Sequence, residues 1–319
     1  MSNFAISLSD VQQAAERIRD GVLETPCLHS EKLSTELACQ IHLKAENLQH
    51  IGAFKARGAL NAVRSLDDDT AQCGVVTHSS GNHGAALARA AALRGIPAHV
   101  VMPENSARIK IDAVRSYGTE PIFCEPNAES RDAIAAEVQQ KTGATLVHPY
   151  NSPMVMAGQG TVGLEILTQL PAVDTILAPL GGGGLLSGIL TAVKNLRPET
   201  KVIAVEPELA DDGFRSLKSG QIEMPIRYDT VADGLRSPVG DKPFPVLKEL
   251  LDDIVLVTEK QIGAAMQRLC KQARLVVEPS GAVAFAAVLA KPELFSGQTV
   301  AAVVSGGNVD FGECRVGKY

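Results

Sequence analysis

Features that would place a sequence in several common classes are missing from these 319 residues. The six cysteines are scattered without any CxxC pair, so neither a zinc framework nor a disulfide scaffold is indicated. Lys and Arg total 30 against 36 Asp and Glu, which gives a net charge of −6. Nucleic acids and anionic membranes normally require a clustered excess of basic residues. We therefore expect reduced thiols and a small-molecule partner, with no nucleic acid.

No segment typical of secretion or of a membrane span is found either. The N-terminus has no basic start followed by an apolar stretch, and Ser9 to Gln12 instead resembles a capping box that opens a helix. The most apolar stretch, VDTILAPLGGGGLLSGIL, contains Asp174 and four consecutive glycines. Such a stretch suits a strand, a loop and a helix start better than a membrane span. A cytoplasmic protein without a membrane segment is the expectation.

Short β-branched runs alternate with longer amphipathic or Ala-rich stretches along most of the chain. One series extends from GVVTHSS to TLVHP, and a second uses DTILAPL, KVIAVEP, DIVLVT and TVAAVVSGG. This alternation predicts an α/β protein with mostly parallel sheets covered by helices. We predict two domains, a small one at 74–150 inserted into a large one formed by 1–73 and 151–319.

Three glycine-rich stretches follow predicted strands, which is where ligands bind in open α/β sheets. They are HSSGNHG at 78–84, GGGG at 181–184 and SGGN at 305–308. Glycines before a helix start let backbone N–H groups approach an anion closely, so GGGG predicts a phosphate site, with a mobile hinge as the alternative. Neither GxGxxG nor GxxxxGK[ST] occurs, so a dinucleotide or P-loop nucleotide is not favoured.

Two further stretches contain residues able to do chemistry. In HSSGNHG, Asn82 could bind a ligand oxygen and Ser80 could transfer a proton, although a helix N-cap at Ser79 or Ser80 and a packed His83 are the simpler alternatives. In IGAFKARGA, Lys55 has small and apolar neighbours. A lysine among apolar groups is more easily deprotonated, as Schiff-base chemistry requires, whereas a lone lysine is ordinarily a surface charge.

In this order and spacing, AFKARGA, SSGNHG, AGQGT, GGGG, VADG, EPSG and SGGNVD resemble the fold-type-II pyridoxal-phosphate enzymes of the serine racemase and serine/threonine dehydratase family. The resemblance extends nearly end to end and implies a tryptophan synthase β-like fold, pyridoxal 5′-phosphate as cofactor and a homodimer. It also implies an ammonia-lyase, which dehydrates a β-hydroxy amino acid to a 2-oxo acid and ammonia. Serine, threonine and 3-hydroxyaspartate are the candidate substrates.

The resemblance assigns roles to individual residues. Lys55 would hold the cofactor as a Schiff base and act as acid and base on Cα, with Ser80 as a second acid/base on the opposite ring face. Ser305 would face the pyridine nitrogen, where a neutral hydroxyl makes the ring a weaker electron sink than an aspartate would and so favours loss of a β leaving group. The implied cofactor-binding residues are Lys55, Phe54, Asn82, Gly181, Gly182, Gly183, Gly184, Gly234 and Ser305. The implied substrate-binding residues are Ser79, Ser80, Gly81, Asn82, His83 and Arg131.

A divalent-cation site is implied by EPELADD at 206–212. It resembles the family's site, with carboxylates from Glu206 and Asp212 and a carbonyl from Ala210. Oxygen ligands suit Mg²⁺, with Ca²⁺ or Mn²⁺ as alternatives. From the pattern alone, a solvated acidic loop is the simpler interpretation.

Arg131 in ESRDAI bears on the substrate. It matches an arginine that reaches the distal carboxylate in family members with dicarboxylic ligands, and a guanidinium suits bidentate carboxylate binding. We therefore expect 3-hydroxyaspartate, converted to oxaloacetate and ammonia, to be the best substrate. A solvated helix arginine is the alternative.

Some features depart from the family pattern. Ala53 stands where the family usually has a serine. His50 and Ile51 stand where some serine racemases have the polar residues of a nucleotide-activation site, so ATP regulation is not expected. Because the sequence ends at Tyr319, shortly after SGGNVD, feedback control by a C-terminal domain is not expected. The runner-up function is a serine or aspartate-type racemase with side dehydratase activity, ahead of a β-replacement synthase. A catalytically silent amino-acid-binding or pyridoxal-binding protein is the alternative from another class.

Overall fold

A computed structural model describes residues 4–79 and 81–310, and it shows two sheets flanked by helices. The strands are β1 Cys27–His29, β2 Gln40–Lys44, β3 Val75–His78, β4 Ala98–Pro103, β5 Ile122–Cys124, β6 Thr145–Leu146, β7 Thr175–Pro179, β8 Lys201–Pro207, β9 Asp253–Val257 and β10 Thr299–Val303. The helices are α1 Leu8–Ile18, α2 Glu31–Leu37, α3 Lys55–Arg64, α4 Asp68–Gln72, α5 Asn82–Arg94, α6 Arg108–Arg115, α7 Ala128–Thr142, α8 Pro153–Gln169, α9 Gly184–Leu196, α10 Asp212–Ser219, α11 Pro243–Leu250, α12 Glu259–Arg268 and α13 Pro279–Ala290. The predicted α/β fold class is confirmed.

The larger sheet has six strands in the order β1-β2-β10-β7-β8-β9, and only the β1–β2 pair is antiparallel. Helices cover both faces. One apolar core includes Ile262 of α12 and Phe285 of α13, and the other includes Ile166 of α8 and Ile189 of α9. Strand β7 is buried along its whole length between these cores, as expected for a central parallel strand.

The smaller sheet has four parallel strands in the order β5-β4-β3-β6. Helix α7 packs on one face through Ala135 against Val76 and Val101, while α5 and α6 pack on the other through Ala88 and Val114. We call this sheet with α5, α6 and α7 the small-sheet unit, and the six-stranded sheet with its helices the large-sheet unit. The domain boundaries at 73/74 and 150/151 stay a prediction.

The helix start predicted near the N-terminus is displaced by two residues. The capping box is formed by Ser7 and Asp10: the Ser7 hydroxyl accepts from the Asp10 N–H at 3.3 Å, and the Asp10 carboxylate accepts from the Ser7 N–H at 2.8 Å. Ser9 lies inside α1, so the predicted box at Ser9 to Gln12 was wrong. A carboxylate three residues after Ser7 returns the hydrogen bond and fixes the start of the helix there.

Within the described ranges, no helix combines the length and the apolar character that crossing a bilayer requires. The most apolar stretch is divided between strand β7, the glycine loop and helix α9, as the sequence predicted.

Candidate active site

Lys55 is the first residue of α3, and the segment before it is attached to the loop that follows β10. Ala53 forms an isolated antiparallel bridge with Gly306, and the Phe54 N–H donates to the Ser305 carbonyl at 3.1 Å. These two contacts join the predicted cofactor lysine to the SGGN motif. They fix the start of α3 at the carboxyl end of the central strands, where the sequence predicted a ligand crevice.

The Lys55 amine has only one protein acceptor in the described part of the chain. Nζ donates to the Pro149 carbonyl at 2.7 Å and lies 5.1 Å from the centre of the Phe54 ring. Burial disfavours the ammonium form and lowers the pKa of Lys55 to about 8. An amine with this pKa is partly neutral near physiological pH, which is the form that attacks an aldehyde.

The tetraglycine loop connects β7 to α9 and is completely buried. A Cβ on Gly182 would overlap the Tyr150 ring, and Gly183 has φ +85°, a conformation that favours glycine. Among the described residues, the N–H groups of Gly181, Gly182 and Gly183 find no acceptor. Unpaired N–H groups at the positive end of a helix form an anion site, so this loop fits the phosphate of a cofactor.

Asn82, the first residue of α5, connects three segments that are distant in sequence. Its Nδ2 donates to Oε1 of Glu278 at 2.6 Å, and its Oδ1 accepts from Nδ2 of Asn308 at 2.9 Å. The same Asn308 amide donates to the Ile51 carbonyl at 2.7 Å. Ile51 has φ +60°, which is rare for a β-branched residue, so Asn308 supports a strained turn just before Lys55.

Ser280, near the start of α13, connects two of the predicted cofactor-binding residues. Its hydroxyl accepts from the Gly234 N–H at 3.0 Å, and its carbonyl accepts from the Ser305 hydroxyl at 3.4 Å. Ser280 and Ser305 are both buried. Gly234 and Ser305 are thereby held in a fixed relation at the edge of the site.

The predicted substrate loop after β3 is only partly described. Ser80 lies outside the described residues. The N-cap of α5 is Gly81, whose N–H donates to the Ser79 hydroxyl at 3.2 Å. His83 is buried with Nε2 at 3.0 Å from the Val147 carbonyl, and burial lowers its pKa well below the usual value. A neutral, packed imidazole is the state that these contacts favour.

Arg131 lies in the first turn of α7, on the small-sheet unit. Its Nε is buried and has no hydrogen-bond partner among the described residues. Its charge acts on neighbours at the site: it contributes to the lowered pKa of His78 and opposes the burial that raises the pKa of Tyr150 to about 12. The Tyr150 ring also faces the glycine loop at Gly182. A guanidinium with an unused donor is therefore placed near the candidate site.

The residues of the predicted metal site lie together between β8 and α10. Glu206 accepts from the N–H groups of Gly213 at 3.0 Å and Phe214 at 2.9 Å, and Ala210 is buried in the intervening turn. Both carboxylate oxygens of Asp212 are buried without a hydrogen-bond partner in the described ranges. Burial raises the pKa of Asp212 to about 7, and burial followed by the charge of Asp212 raises that of Glu206 well above normal.

Two adjacent buried carboxylates that form no ion pair among the described residues fit a divalent ion with oxygen ligands. No cluster of three or more His, Cys, Asp or Glu side chains able to bind a metal occurs in the described residues. An ion held here would therefore depend on two carboxylates, the Ala210 carbonyl and water.

Sequence reasoning did not single out several residues that shape this site. Glu278, Ser280 and Asn308 make the connections around Asn82 and Ser305, and Lys110 pairs with Asp233 next to Gly234. Three of them lie within the EPSG and SGGNVD motifs, so the motifs marked their position but not their contacts. Lys110 carried no signal, because a lysine in an amphipathic helix is ordinarily exposed.

Comparison with known proteins identifies the family of this chain. The family model for pyridoxal-phosphate dependent enzymes matches residues 18–306. A β-hydroxyaspartate dehydratase from Paracoccus denitrificans (strain Pd 1222) is 46% identical over 301 residues, covering 94% of this chain and 96% of the relative. A serine racemase from rice (Oryza sativa subsp. indica) is 43% identical over 314 residues, covering 97% and 93%.

A solved structure supports the same assignment. The structure of maize serine racemase superposes with a TM-score of 0.95 at 42% identity, covering 97% of this chain and 96% of that one. Coverage at this level excludes a match limited to one domain. A nearly complete family match, relatives above 40% identity and a shared fold lead to one conclusion: the chain belongs to the fold-type-II pyridoxal-phosphate dependent enzymes that include serine racemase and β-hydroxyaspartate dehydratase.

Proposed function

We propose that this enzyme is an ammonia-lyase that dehydrates a β-hydroxy amino acid, with 3-hydroxyaspartate as its best substrate. The observation that carries the substrate choice is Nε of Arg131, which is buried without a hydrogen-bond partner among the described residues and lies near the glycine loop. The 46% identical relative described as a β-hydroxyaspartate dehydratase supports the same choice.

The reaction needs a base at Cα and a route for the β-hydroxyl to leave. Bound pyridoxal phosphate supplies an aldehyde that condenses with an amine and a ring that withdraws electrons from Cα. The Lys55 amine, whose pKa burial lowers to about 8, takes the Cα proton. The β-hydroxyl leaves as water when it receives a proton, and the one that Lys55 took from Cα balances this step. The product is an enamine, which tautomerises to an imine. Hydrolysis of the imine gives oxaloacetate and ammonia.

The surrounding residues position the cofactor. Gly181 to Gly184 would hold the phosphate through N–H groups that have no acceptor within the described chain. Phe54 and Gly234 would flank the ring, Asn82 would bind its 3′ oxygen, and Ser305 would face its nitrogen. A buried neutral hydroxyl leaves the ring nitrogen without a charged partner, which favours elimination over a long-lived carbanion.

We also propose that Glu206, Ala210 and Asp212 hold a divalent cation, with Mg²⁺ as first choice. The two carboxylate oxygens of Asp212 support this site, since they find no hydrogen-bond partner in the described ranges and lie beside a second buried carboxylate. Its role is structural support of the turn between β8 and α10. A homodimer and a cytoplasmic location are part of the same proposal and rest on the family resemblance alone.

Arg131 gives the substrate proposal a direct test. Losing a charge-assisted pair typically costs ~1.5 to 3 kcal/mol, or roughly one to two powers of ten in specificity. We expect Arg131→Ala to lower kcat/KM for 3-hydroxyaspartate by that factor and to change serine turnover far less. Arg115→Ala is the matched control, because Arg115 is half-exposed and pairs with Glu120 on the surface. Equal losses on both substrates, or a wild-type preference for serine or threonine, would contradict the role of Arg131.

Serine or aspartate-type racemisation is the second candidate function. The rice and maize serine racemases favour it, and it requires the proposed second acid/base, Ser80. Chiral chromatography of L-serine incubated with the enzyme separates the two functions. Accumulation of D-serine faster than pyruvate, lost in Ser80→Ala, would make racemisation the main activity.

A further inference from the structure

Lys110 of α6 is a buried cation that extends from the small-sheet unit to the large-sheet unit. Only 6% of the residue is exposed. Its Nζ forms an ion pair with Asp233 and lies 3.8 Å from Oε2 of Glu278. Asp233 begins the short 3₁₀ turn Asp233–Leu235, and Glu278 is the N-cap of α13, so both carboxylates belong to the large-sheet unit. One side chain therefore makes an ionic contact across the two units.

The stem of Lys110 also packs against the loop that precedes α5. A Cβ added to Gly81 would lie 2.7 Å from Cδ of Lys110, so the absence of a side chain at Gly81 lets the stem pass. Gly81 is followed by Asn82, and Asp233 is followed by Gly234. Lys110 thus contacts the immediate neighbours of two residues proposed to bind the cofactor, one on each unit.

The two carboxylates keep the Lys110 side chain charged. Burial alone would lower the pKa of Lys110, but Asp233 and Glu278 together raise it, so the side chain stays cationic. Glu278 is itself buried, its Oε1 accepts from Asn82, and burial raises its pKa to about 7. Removing the cation would leave the buried Glu278 and the partly exposed Asp233 close together without their ion-pair partner, which a largely buried site tolerates poorly.

We propose that Lys110 is a positioning residue that fastens the small-sheet unit across the cofactor site and holds the Gly81–Asn82 and Asp233–Gly234 pairs in their working arrangement. The catalytic part of this inference rests on the proposed function, whereas the structural part does not. Lys110 is not a catalytic residue, because it acts through these neighbours.

The test is a double-mutant cycle with a conservative rescue. Lys110→Met keeps the stem and removes the charge, Lys110→Arg restores the charge, and Asp233→Asn removes the main partner. Lys141→Met is the control, because Lys141 lies on the same unit but is 70% exposed and pairs with Glu137 on the surface. For each protein, pyridoxal phosphate affinity is measured by absorbance titration, amide exchange of 81–84 and 233–235 by mass spectrometry, and kcat and KM separately.

We expect Lys110→Met to weaken cofactor affinity or kcat at least tenfold and to speed amide exchange at both loops in the cofactor-free chain. Lys110→Arg should recover most of the loss, and the control should match the wild type. Adding Asp233→Asn to Lys110→Met should cause little further loss, since contacting residues are not additive. The proposal is overturned if the losses from Lys110→Met and Asp233→Asn add, or if Lys110→Arg does not restore affinity or kcat. It is also overturned if Lys110→Met has the cofactor affinity, kcat and amide exchange of the wild type.

The proposed function can fail separately. If the wild-type enzyme releases no 2-oxo acid from any hydroxy amino acid, the ammonia-lyase assignment is wrong, but cofactor affinity and amide exchange still decide the role of Lys110.

Discussion

The Pro149 carbonyl accepts a hydrogen bond from Nζ of Lys55 across 94 residues of sequence, at 2.7 Å. This contact aims the amine at the segment between β6 and α8, beside the Tyr150 ring and the glycine loop. It explains how a lysine at the start of a helix can remain inside the protein. A carbonyl satisfies the amine in either protonation state but does not supply a negative charge, so burial still lowers the pKa of Lys55 to about 8.

The first prediction is a pH dependence of cofactor loading. The folded pKa of Lys55 is lowered, so the nucleophilic neutral amine accumulates as pH rises towards about 8 and levels off above it. The rate at which cofactor-free enzyme takes up pyridoxal phosphate should therefore rise about tenfold per pH unit well below that value. Stopped-flow absorbance measures this rate. A rate that keeps rising to pH 10 would mean that the amine has an ordinary lysine pKa.

A second prediction concerns Gly182. Gly182→Ala places a methyl group into the Tyr150 ring, and overpacking of this kind typically costs ~1 to 3 kcal/mol. We expect pyridoxal phosphate affinity to fall roughly tenfold to a hundredfold by the same energy. Gly95→Asn is the control, because nothing lies within 4 Å of a Cβ there and asparagine tolerates the positive φ of +71°. Unchanged affinity in Gly182→Ala would exclude a close-fitting phosphate loop.

The third prediction tests the metal site through stability. The pKa of Asp212 is raised to about 7 in the folded chain from an ordinary 3.8. This carboxyl therefore makes the metal-free enzyme less stable as pH rises from about 4 to about 7, and its own contribution is constant above that. Glu206, whose pKa is also raised, acts in the same direction. At pH 8, added Mg²⁺ should raise the melting temperature of the wild type by a few degrees. Asp212→Asn should melt higher than the metal-free wild type and no longer respond to Mg²⁺.

The exposed Glu104→Gln variant is the control for this experiment and should respond to Mg²⁺ as the wild type does. If neither chelator nor Mg²⁺ changes the melting temperature of the wild type, the segment 206–212 is only an acidic loop. Asp212→Asn melting below the metal-free wild type would show that protein groups already stabilise the carboxylate.

A fourth prediction concerns the buried charges next to the catalytic helix. Arg57, in the first turn of α3, donates to Glu46 at 2.8 Å through both Nε and a terminal nitrogen, and it also pairs with Glu165. Lys44 pairs with Glu165 as well, at 2.6 Å, so two cations balance two anions. Arg57→Met leaves an uncompensated buried charge and should lower the free energy of unfolding by about 3 to 5 kcal/mol.

Denaturant unfolding measures this loss, and Arg19→Met serves as the surface control, since Arg19 is 77% exposed. The control should stay within about 0.5 kcal/mol of the wild type. A loss of similar size in both variants would show that the buried ion pairs contribute no more to the free energy of unfolding than a surface pair does.

The sequence predicted those parts of the fold that depend on local residue patterns. The alternation of strand-like and helix-like runs predicted all eight parallel strands from β3 to β10, because both periodicities are local properties. Strands β1 and β2 were both missed: CLH of β1 is only three residues long and shows no alternation, and QIHLK of β2 was not singled out. The capping box was also predicted two residues too late. SLSD contains two serines, and only the carboxylate of Asp10 decides which of them is the N-cap.

Contacts between distant segments were beyond that reasoning. Nothing near Asn82 in sequence indicates that it meets Glu278 and Asn308, which lie 196 and 226 residues away. The burial of Lys110 depends in the same way on Asp233 and Glu278, two acids of the large-sheet unit. Motifs located the parts of the site, but their arrangement follows from how the two units pack.

The central claim is that Lys55 is the residue that carries the cofactor, and borohydride reduction followed by peptide mass spectrometry tests it most directly. The holoenzyme is reduced, digested and searched for a lysine bearing the reduced pyridoxyl phosphate group. We predict that the modification lies on Lys55 and that Lys55→Ala shows no modified peptide and no turnover. A modification on another lysine, or none in a protein loaded with the cofactor, would contradict the account.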